Sequence, residues 1–404
     1  MKTYSAYQFS FFRIILGIYL FIHFVMLFPY AAEMWSNTGL MPDASLNLTH
    51  GFFPNVLNIS DSPFTVQFLV LALIVCSLLF TFGIQRPIAA LVLWYGWVCL
   101  FDRNNLISNP GLPFIGWILL CCIVVPKGEP LSLFTKKNEN WSFPPILFWG
   151  AWIIMSVGYT ISGFDKLHSP SWRDGSAIIH LLNNPLARDW GLRTFFLSFP
   201  ESILHFLTWG ILLLEMTFLP FAIWKKTRMW IWLFTIIMHV GILLIVDFAD
   251  LTFGMLMIHW FTFDGAWIKP VKVSEQSNFV FFDGICGLCN SFVDFLLKED
   301  KDEVLLYAPL QGETARVYLN NIDTSDLKTV IFFSDGKVFT KSDAIIEILR
   351  SMGGIWGLAP VLRVFPKALR DYVYSVISKN RIKWFGQKET CRMPTEKERG
   401  RLWR

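Results

Sequence analysis

Two cysteines separated by two residues, Cys286 and Cys289, form the motif whose spacing most directly predicts chemistry in this chain. They follow a short apolar stretch, Phe279–Phe282, and precede a helical pattern over Asn290–Leu297. The positive end of a helix dipole and the unpaired backbone N–H groups there stabilise a thiolate and lower the pKa of a thiol. The spacing therefore predicts a redox dithiol, in which Cys286 attacks a disulfide and Cys289 resolves the mixed disulfide.

Two other interpretations of the cysteine pair stay open at this point. Half of a zinc site would need two further ligands, and the chain after His259 offers only Cys391 and no histidine. A pair of inert cysteines in an apolar core would also fit, since an unreactive cysteine behaves as a small hydrophobe. The strand–turn–helix context favours redox chemistry, and we expect neither a metal nor any other cofactor at the dithiol.

The residues around the dithiol predict a small soluble α/β domain over residues 279–404. The predicted elements are the strands Phe279–Phe282, Val304–Tyr307, Thr329–Phe333 and Lys337–Thr340, and the helices Asn290–Leu297 and Ala344–Arg350. Ser342 and Asp343 are expected to cap the second helix. The order strand, helix, strand, then strand, strand, helix is that of a thioredoxin-like domain.

This region resembles the DCC family of thiol-disulfide oxidoreductases, which is named for the Asp-x-x-Cys-x-x-Cys signature that Asp283 completes. The resemblance extends to further stretches in the same order, namely Ala308–Gln311, Lys341–Ala344, Asn380-Arg381, Phe385-Gly386 and Cys391. It implies a thiol-disulfide oxidoreductase whose partner is a thiol or disulfide substrate protein or a small thiol. By the same resemblance, Asp283 is expected to contribute to substrate binding beside the two catalytic cysteines.

A second candidate for chemistry is Lys166, which closely follows the apolar run Phe143–Gly163 and precedes Trp172, Arg173 and Asp174. A lysine partly removed from water at a membrane edge can lose its proton and act as a base. A lysine at the end of a span also commonly extends its amine to the interface without any catalytic role. Both interpretations stay open, and in the first the three following residues would shape a substrate site.

The stretch around Lys166 also carries a resemblance, together with Phe12-Arg13, Gly17, Gly39–Pro42 and Tyr159–Leu167. These residues look like the horizontally transferred transmembrane (HTTM) family, whose membrane domain is shared by vitamin K-dependent gamma-glutamyl carboxylases. The resemblance implies that Lys166 is a catalytic base and that the membrane domain binds or oxidises a quinol, such as vitamin K hydroquinone or menaquinol. The alternative is a non-catalytic anchor that binds a lipid or a partner protein and holds the redox domain.

The composition indicates that most of the chain lies in a bilayer. Hydrophobic residues make up 54% of the 404 residues and charged residues only 16%, whereas a soluble protein carries about a quarter charged residues. A net charge of +4 without a dense basic block argues against nucleic acid as a partner and leaves membrane lipid. About eight spans are predicted from the apolar runs Phe11–Tyr30, Phe64–Gly83, Pro87–Phe101, Leu112–Pro126, Phe143–Gly163, Ile203–Trp224, Met229–Val246 and Leu251–Phe263.

The distribution of charge predicts how these spans are oriented. The short connection Lys225–Arg228 is basic, whereas the short connection Asp247–Asp250 on the opposite side is acidic. Basic connections stay in the cytoplasm, so we expect a multi-pass cell-membrane protein with both termini and the dithiol domain on the cytoplasmic side. The predicted organisation is a polytopic α-helical membrane bundle over residues 1–268, a linker over 269–278 and the thioredoxin-like domain over 279–404.

Overall fold

The computed structural model describes residues 4–47, 49–271, 278–284, 286–319, 330–386 and 400–403. The chain divides into two compact units, of which the first ends at Phe263 and the second begins at Asp264. The boundary precedes the predicted one at residue 268, because the Gly354 N–H donates to the Ile268 carbonyl at 2.8 Å within the second unit. Of the predicted linker 269–278, residues 272–277 lie outside the described residues and Asn278 begins a strand.

The first unit is built from helices, and each of the predicted apolar runs overlaps a longer helix. The longer helices are Ala6–Leu27, Pro63–Thr81, Arg86–Arg103, Leu112–Val124, Pro145–Lys166, Glu201–Met216, Lys225–Ile245 and Ala249–Phe261. The shorter α-helices are Ala31–Trp35, Pro170–Arg173, Ala177–Leu182, Gly191–Leu197 and Phe218–Ile223. Single 3₁₀ turns occur at Phe28–Tyr30, Ala44–Leu46, Val56–Asn58 and Asn105–Ile107.

Within the described residues, four helical segments are long and apolar enough to cross a membrane: Ala6–Trp35, Pro63–Thr81, Pro145–Lys166 and Lys225–Ile245. A fifth is added if Gly191–Leu197 and Glu201–Met216, which meet at 105°, form one broken span. The prediction of about eight spans is therefore not confirmed. Length is one physical reason, because a helix of 13 residues such as Leu112–Val124 rises only about 20 Å, short of a hydrocarbon core of ~30 Å.

A buried cluster of charges connects separate parts of the first unit. The Glu129 carboxylate lies 2.8 Å from Nε of Arg86 and 3.5 Å from Nε of Arg13. The Arg13 guanidinium also donates to the carbonyls of Thr81 and Leu131, each at 2.7 Å. All three charged side chains are almost completely buried, so each depends on the others for compensation of its charge.

The second unit contains a four-stranded mixed sheet in the order β2-β1-β3-β4. The strands are β1 (Asn278–Phe282), β2 (Leu306–Pro309), β3 (Ile331–Ser334) and β4 (Lys337–Thr340). β2 runs parallel to β1, whereas β3 is antiparallel to both β1 and β4. The helices are Gly287–Glu299, Glu313–Tyr318, Lys341–Met352 and Lys367–Phe385, with 3₁₀ segments at Gly265–Trp267 and Gly354–Val364.

β1 is buried on both faces because side chains along a strand alternate in direction. Val280 and Phe282 point into the core cluster that also contains the two cysteines of the motif. Phe279 and Phe281 point into a second cluster on the other face of the sheet. The central strand is therefore held from both sides, and the chain segment that leaves it toward the dithiol starts from a fixed position.

The helix Lys341–Met352 begins three residues before its predicted start at Ala344. Ser342 and Asp343 do not cap it, because both side chains bond to the helix Lys367–Phe385 instead. The Ser342 hydroxyl donates to Asp371 at 2.5 Å, and the Asp343 carboxylate accepts from Arg370 at 2.9 Å. The helix ends at Met352, two residues after the predicted Arg350, and is followed by Gly353 at φ +68°, a conformation that favours glycine.

We predict that Glu129→Ala lowers the melting temperature of the purified protein strongly, because it leaves two buried guanidinium groups without a carboxylate. Removing one partner of a buried ion pair costs about 3–5 kcal/mol. The matched control is Glu139→Ala, since Glu139 is 67% exposed and lies 3.7 Å from Lys137. Thermal melting in detergent micelles measures both variants, and equal melting temperatures would contradict a stabilising role for the buried cluster.

Candidate functional site

Cys286 caps the helix that begins at Gly287. The backbone of Cys286 is extended, with φ −81° and ψ 122°, so the chain turns from the loop after β1 directly into the helix. Its Sγ accepts a hydrogen bond from the Cys289 N–H at 3.4 Å. The thiol therefore occupies the position of an N-cap side chain, at the positive end of the helix dipole, as the spacing of the motif predicts.

Asn290 and Gly287 hold the turn that precedes this helix, the first by its side-chain amide and the second by having no side chain. The Asn290 side-chain amide donates to the Gly284 carbonyl at 2.8 Å and to the Cys286 carbonyl at 2.9 Å. The Gly287 N–H donates to the Gly386 carbonyl at 3.2 Å, and a Cβ at residue 287 would collide with the carbonyls of Phe385 and Gly386. Glycine at 287 thus lets the end of the last long helix lie directly against the dithiol.

Asp283 is held by an ion pair beside the two thiols. Its carboxylate lies 2.6 Å from Nη2 of Arg381 and accepts a hydrogen bond from the Gln311 side chain at 3.4 Å. Arg381 also donates from Nη1 to Sγ of Cys289 at 3.7 Å. One guanidinium group therefore bridges the signature carboxylate and the second cysteine, and both charged side chains are buried.

Burial controls the acidity of the second thiol. Removal from water, together with the hydrogen bond and charge of Cys286, raises the pKa of Cys289 to about 12, although the Arg381 guanidinium acts to lower it. The contribution of Cys286 exists only while its own sulfur is free. Once Cys286 is bound in a mixed disulfide, Cys289 keeps the guanidinium and loses the neighbouring negative charge, which favours deprotonation at the step where it must attack.

The structure brings together Cys286, Cys289 and Asp283, the three residues predicted for the redox site. The Asp283 carboxylate pairs with Arg381, whose guanidinium contacts Cys289, and the Asp283 backbone carbonyl accepts from the Cys286 N–H at 3.2 Å. Sequence reasoning quoted Arg381 in the resemblance but gave it no role, since nothing local to residue 381 shows which carboxylate it meets. Cys391, which a zinc site would need, lies outside the described residues.

Lys166, in the first unit, is enclosed by polar and aromatic partners. Its ammonium group donates to the Ser162 hydroxyl at 2.7 Å and forms an ion pair with the Glu215 carboxylate. Nζ also lies 5.2 Å from the centre of the Trp172 ring, within the range of a cation–π contact. The side-chain nitrogen of Lys166 is therefore held by one hydroxyl, one carboxylate and one aromatic ring.

A cavity of about 450 Å³ adjoins this group and is lined by Pro110, Gly158, Ile161, Ser162, Asp165, Lys166, Ser169 and Trp172. Among the described residues, its lining does not include Arg173 or Asp174. The Arg173 carbonyl accepts from the Trp209 indole at 3.2 Å, and the Asp174 carboxylate accepts two hydrogen bonds from Ser176, which hold the pKa of Asp174 below its usual value. Both residues therefore shape the turn after Trp172 rather than the cavity wall.

Glu215 is the functional candidate that sequence reasoning missed in this unit. It is 5% exposed and is the one acidic residue in the apolar run Ile203–Trp224. An ionisable residue inside an apolar run is a functional candidate by default, so this signal was present in the sequence. Its partner was not evident, because Lys166 lies in another helix.

The second unit is similar in sequence to known proteins. Residues 280–387 match the family model described as DCC1-like thiol-disulfide oxidoreductase. The uncharacterized protein YuxK of Bacillus subtilis is 41% identical over 126 residues, which are 30% of this chain and 92% of that protein. A chloroplastic DCC family protein of Arabidopsis thaliana is 26% identical over 133 residues, 31% of this chain and 77% of that protein. No solved structure matches the chain.

We predict that Arg381→Met destabilises the second unit, because it leaves the buried Asp283 carboxylate unpaired. The loss expected for one partner of a buried pair is about 3–5 kcal/mol. Maleimide labelling of Cys289 at rising temperature, located by peptide mass spectrometry, reports the unfolding. The control Arg350→Met should change little, since Glu347 keeps its second partner Arg363. If Asp283→Asn combined with Arg381→Met costs as much as the sum of the single changes, the proposed pairing is contradicted.

The raised pKa of Cys289 also predicts a pH dependence. Its pKa in the folded protein lies above the value of an unfolded thiol, about 8.5, so its contribution to stability is complete below that pH and is lost as the pH rises toward 12. Alkylation of reduced Cys289 by iodoacetamide should therefore rise about tenfold per pH unit from pH ~7 to ~10. Free glutathione, the control, should level off near its own pKa. A plateau for Cys289 below pH ~9 would contradict the burial argument.

Proposed function

The chain belongs, through its C-terminal domain, to the DCC1-like thiol-disulfide oxidoreductase family, and from that premise we propose that it is a membrane-bound oxidoreductase whose dithiol is Cys286 and Cys289. One observation carries the proposal: Cys286 caps a helix directly after the central strand, and Sγ accepts from the Cys289 N–H. The parallel β1/β2 pair with antiparallel β3 and β4 supports a thioredoxin-like fold for this domain.

In the proposed reaction, the Cys286 thiolate attacks one sulfur of a substrate disulfide. A bond forms between Cys286 and that sulfur, and the other substrate sulfur leaves as a thiolate. Cys289 then loses its proton and attacks Sγ of Cys286, which releases the second substrate thiolate. The substrate gains two electrons, the domain is left with a disulfide between Cys286 and Cys289, and a thiol reductant returns it to the dithiol state.

Arg381 and Asp283 act as positioning residues in this scheme. Arg381 stabilises the negative charge that develops on Cys289, because its guanidinium already contacts Sγ. Asp283 holds Arg381 in place through the ion pair at 2.6 Å, which reassigns it from direct substrate binding to support of the dithiol. Cys286 is 1% exposed, so a substrate protein reaches its sulfur only after local opening, whereas a small thiol needs less room.

The apolar helices of the first unit support a membrane location. Four helical segments meet the length and composition of a span, so we propose a multi-pass cell-membrane protein surrounded by lipid. The basic Lys225–Arg228 and the acidic Asp247–Asp250 favour an orientation with Lys225 on the cytoplasmic side. We propose that the helix Ala249–Phe261 returns the chain to that side, which places the dithiol domain in the cytoplasm. The reducing conditions there favour the dithiol as the resting state.

A second function, binding or oxidation of a quinol by an HTTM-like membrane domain, is supported by the cavity beside Lys166 and Trp172. In a catalytic role, Lys166 would act beside the Glu215 carboxylate, which lies in contact with its side-chain nitrogen. The competing proposal is that the first unit is a non-catalytic anchor that binds lipid or a partner protein. The two proposals predict different effects of Lys166→Ala on quinol oxidation.

We expect the reduced protein to reduce oxidised glutathione or a disulfide-bonded peptide in a single-turnover assay sealed from air. Cys286→Ser should abolish exchange, since it removes the attacking sulfur, and Cys289→Ser should accumulate a mixed disulfide that mass spectrometry locates at Cys286. Cys76→Ser, a half-buried cysteine of the first unit, is the control and should behave as the wild type. Unchanged exchange in Cys286→Ser would refute the assignment.

The quinol proposal is tested by incubating the protein in detergent with vitamin K hydroquinone or menaquinol and resolving quinone and epoxide by chromatography. A catalytic Lys166 predicts enzyme-dependent product in the wild type that Lys166→Ala loses, while Lys137→Ala, an exposed control, keeps it. Equal product in all three proteins, or no product above the protein-free rate, would show that Lys166 is not a catalytic base. The proposal of a non-catalytic anchor would then be favoured.

A further inference from the structure

The last long helix of the second unit, Lys367–Phe385, is attached to its domain by ion pairs along one side. Arg370 pairs with Asp343 at 2.9 Å, and Arg381 pairs with Asp283 at 2.6 Å. The two arginines are separated by about three helical turns, so they lie on the same face of the helix. That face is directed toward the domain, and the opposite face is directed away from it.

The opposite side of this helix is an exposed apolar surface, which we call the outer face. It consists of large side chains at helical spacing, each between 39% and 68% exposed: Leu369, Tyr372, Val373, Ile377 and Trp384. The segment that precedes the helix adds further exposed apolar side chains, namely Val361, Leu362, Val364 and Phe365. A soluble domain rarely exposes a large apolar patch, and such a patch marks a surface that binds a partner or a membrane.

The charge of this region is strongly positive. Residues 361–386 contain six basic residues and one acidic residue, Asp371. Four of the basic residues form ion pairs within the domain, namely Arg363, Lys367, Arg370 and Arg381. The other two, Lys379 and Lys383, are exposed and lie about one turn apart. Lys379 follows Tyr372 by about two turns, so both lysines border the outer face.

An apolar face with aromatic residues and a basic border is typical of a helix that lies on a membrane surface. The apolar side chains enter the boundary between lipid headgroups and acyl chains, where Trp and Tyr are favoured. Lysines at the border attract anionic headgroups, which are abundant in the cytoplasmic leaflet. A second copy of this chain is less suitable as the partner, because it would bring the same positive charges toward each other.

We propose that the outer face docks on an anionic lipid bilayer. The proposal rests on the membrane location proposed for the first unit, because the redox domain is then tethered to the bilayer. The Gly287 N–H donates to the Gly386 carbonyl at 3.2 Å, so the end of this helix lies directly against the turn that carries Cys286. Docking of the outer face thereby holds the dithiol close to the lipid headgroups.

The test uses the full-length protein, one copy per nanodisc, in discs of phosphatidylcholine alone and in discs that also contain phosphatidylserine. Hydroxyl-radical oxidation followed by peptide mass spectrometry measures the exposure of Tyr372 and Trp384. We expect both residues to be oxidised about fivefold more slowly in the anionic discs, the factor that one lysine near an anionic surface contributes to binding. Trp403, which is 43% exposed and contacts the Phe279 ring, is the control and should be oxidised equally in both.

Other occupants of the outer face give different results. A protein surface, whether the first unit or a second copy, would protect Tyr372 and Trp384 equally in both kinds of disc. An uncovered face would leave both residues oxidised as fast as Trp403 in every disc. Either result would overturn the proposal. Co-elution of the protein with the discs tests the membrane location separately, so failure of the docking proposal is distinguishable from failure of that location.

Charge reversal tests the electrostatic part of the proposal. Lys379→Glu combined with Lys383→Glu should remove the difference between the two kinds of disc, because both lysines that border the outer face are lost. Salt at about 1 M should do the same to the wild type, since the Debye length falls to about 3 Å. The matched control, Lys298→Glu combined with Lys337→Glu, reverses two exposed lysines away from this helix and should keep the difference. Undiminished protection of the first variant in anionic discs would contradict the role of its two lysines.

Discussion

The ion pair between Asp283 and Arg381 is the interaction on which the dithiol site depends. It joins the loop after β1 to the last long helix, and the same guanidinium contacts Sγ of Cys289. A buried carboxylate without this partner would disfavour a thiolate beside it by charge repulsion. Because Asp283 instead holds Arg381, a positive guanidinium lies against the Cys289 thiol. This gives a physical reason why an acidic residue lies so close to a nucleophilic sulfur.

The same requirement, that a buried charge needs a partner, organises the first unit. Glu129 compensates Arg13 and Arg86, and Glu215 compensates Lys166. Lys166 is thus held by a carboxylate from another helix of the first unit, a contact that any proposed role for this lysine has to include. The Asp250 carboxylate differs, since it lies on the wall of an apolar cavity and is held by the Tyr19 hydroxyl, the Asn109 amide and Nδ1 of His23.

Sequence reasoning succeeded where the signal is local. The apolar patterns located all four strands to within two residues of their observed ends. β2 begins at Leu306 rather than Val304, since strand ends follow pairing partners that a pattern does not contain. The partners of Asp283 and Lys166 lie 98 and 49 residues away, and no local pattern states which residue a buried charge will meet. The number of spans was not confirmed, because an apolar run does not reveal how long its helix will be.

A redox titration of the full-length protein tests the central claim, that Cys286 and Cys289 form a reversible two-electron dithiol. The protein is equilibrated with graded ratios of reduced and oxidised glutathione, quenched by alkylation and analysed by peptide mass spectrometry. The account predicts that both cysteines lose their labels together, with a midpoint in the range of about −120 to −270 mV known for exchange-active dithiols. Two cysteines that stay alkylatable at every ratio, or that oxidise independently of each other, would contradict it.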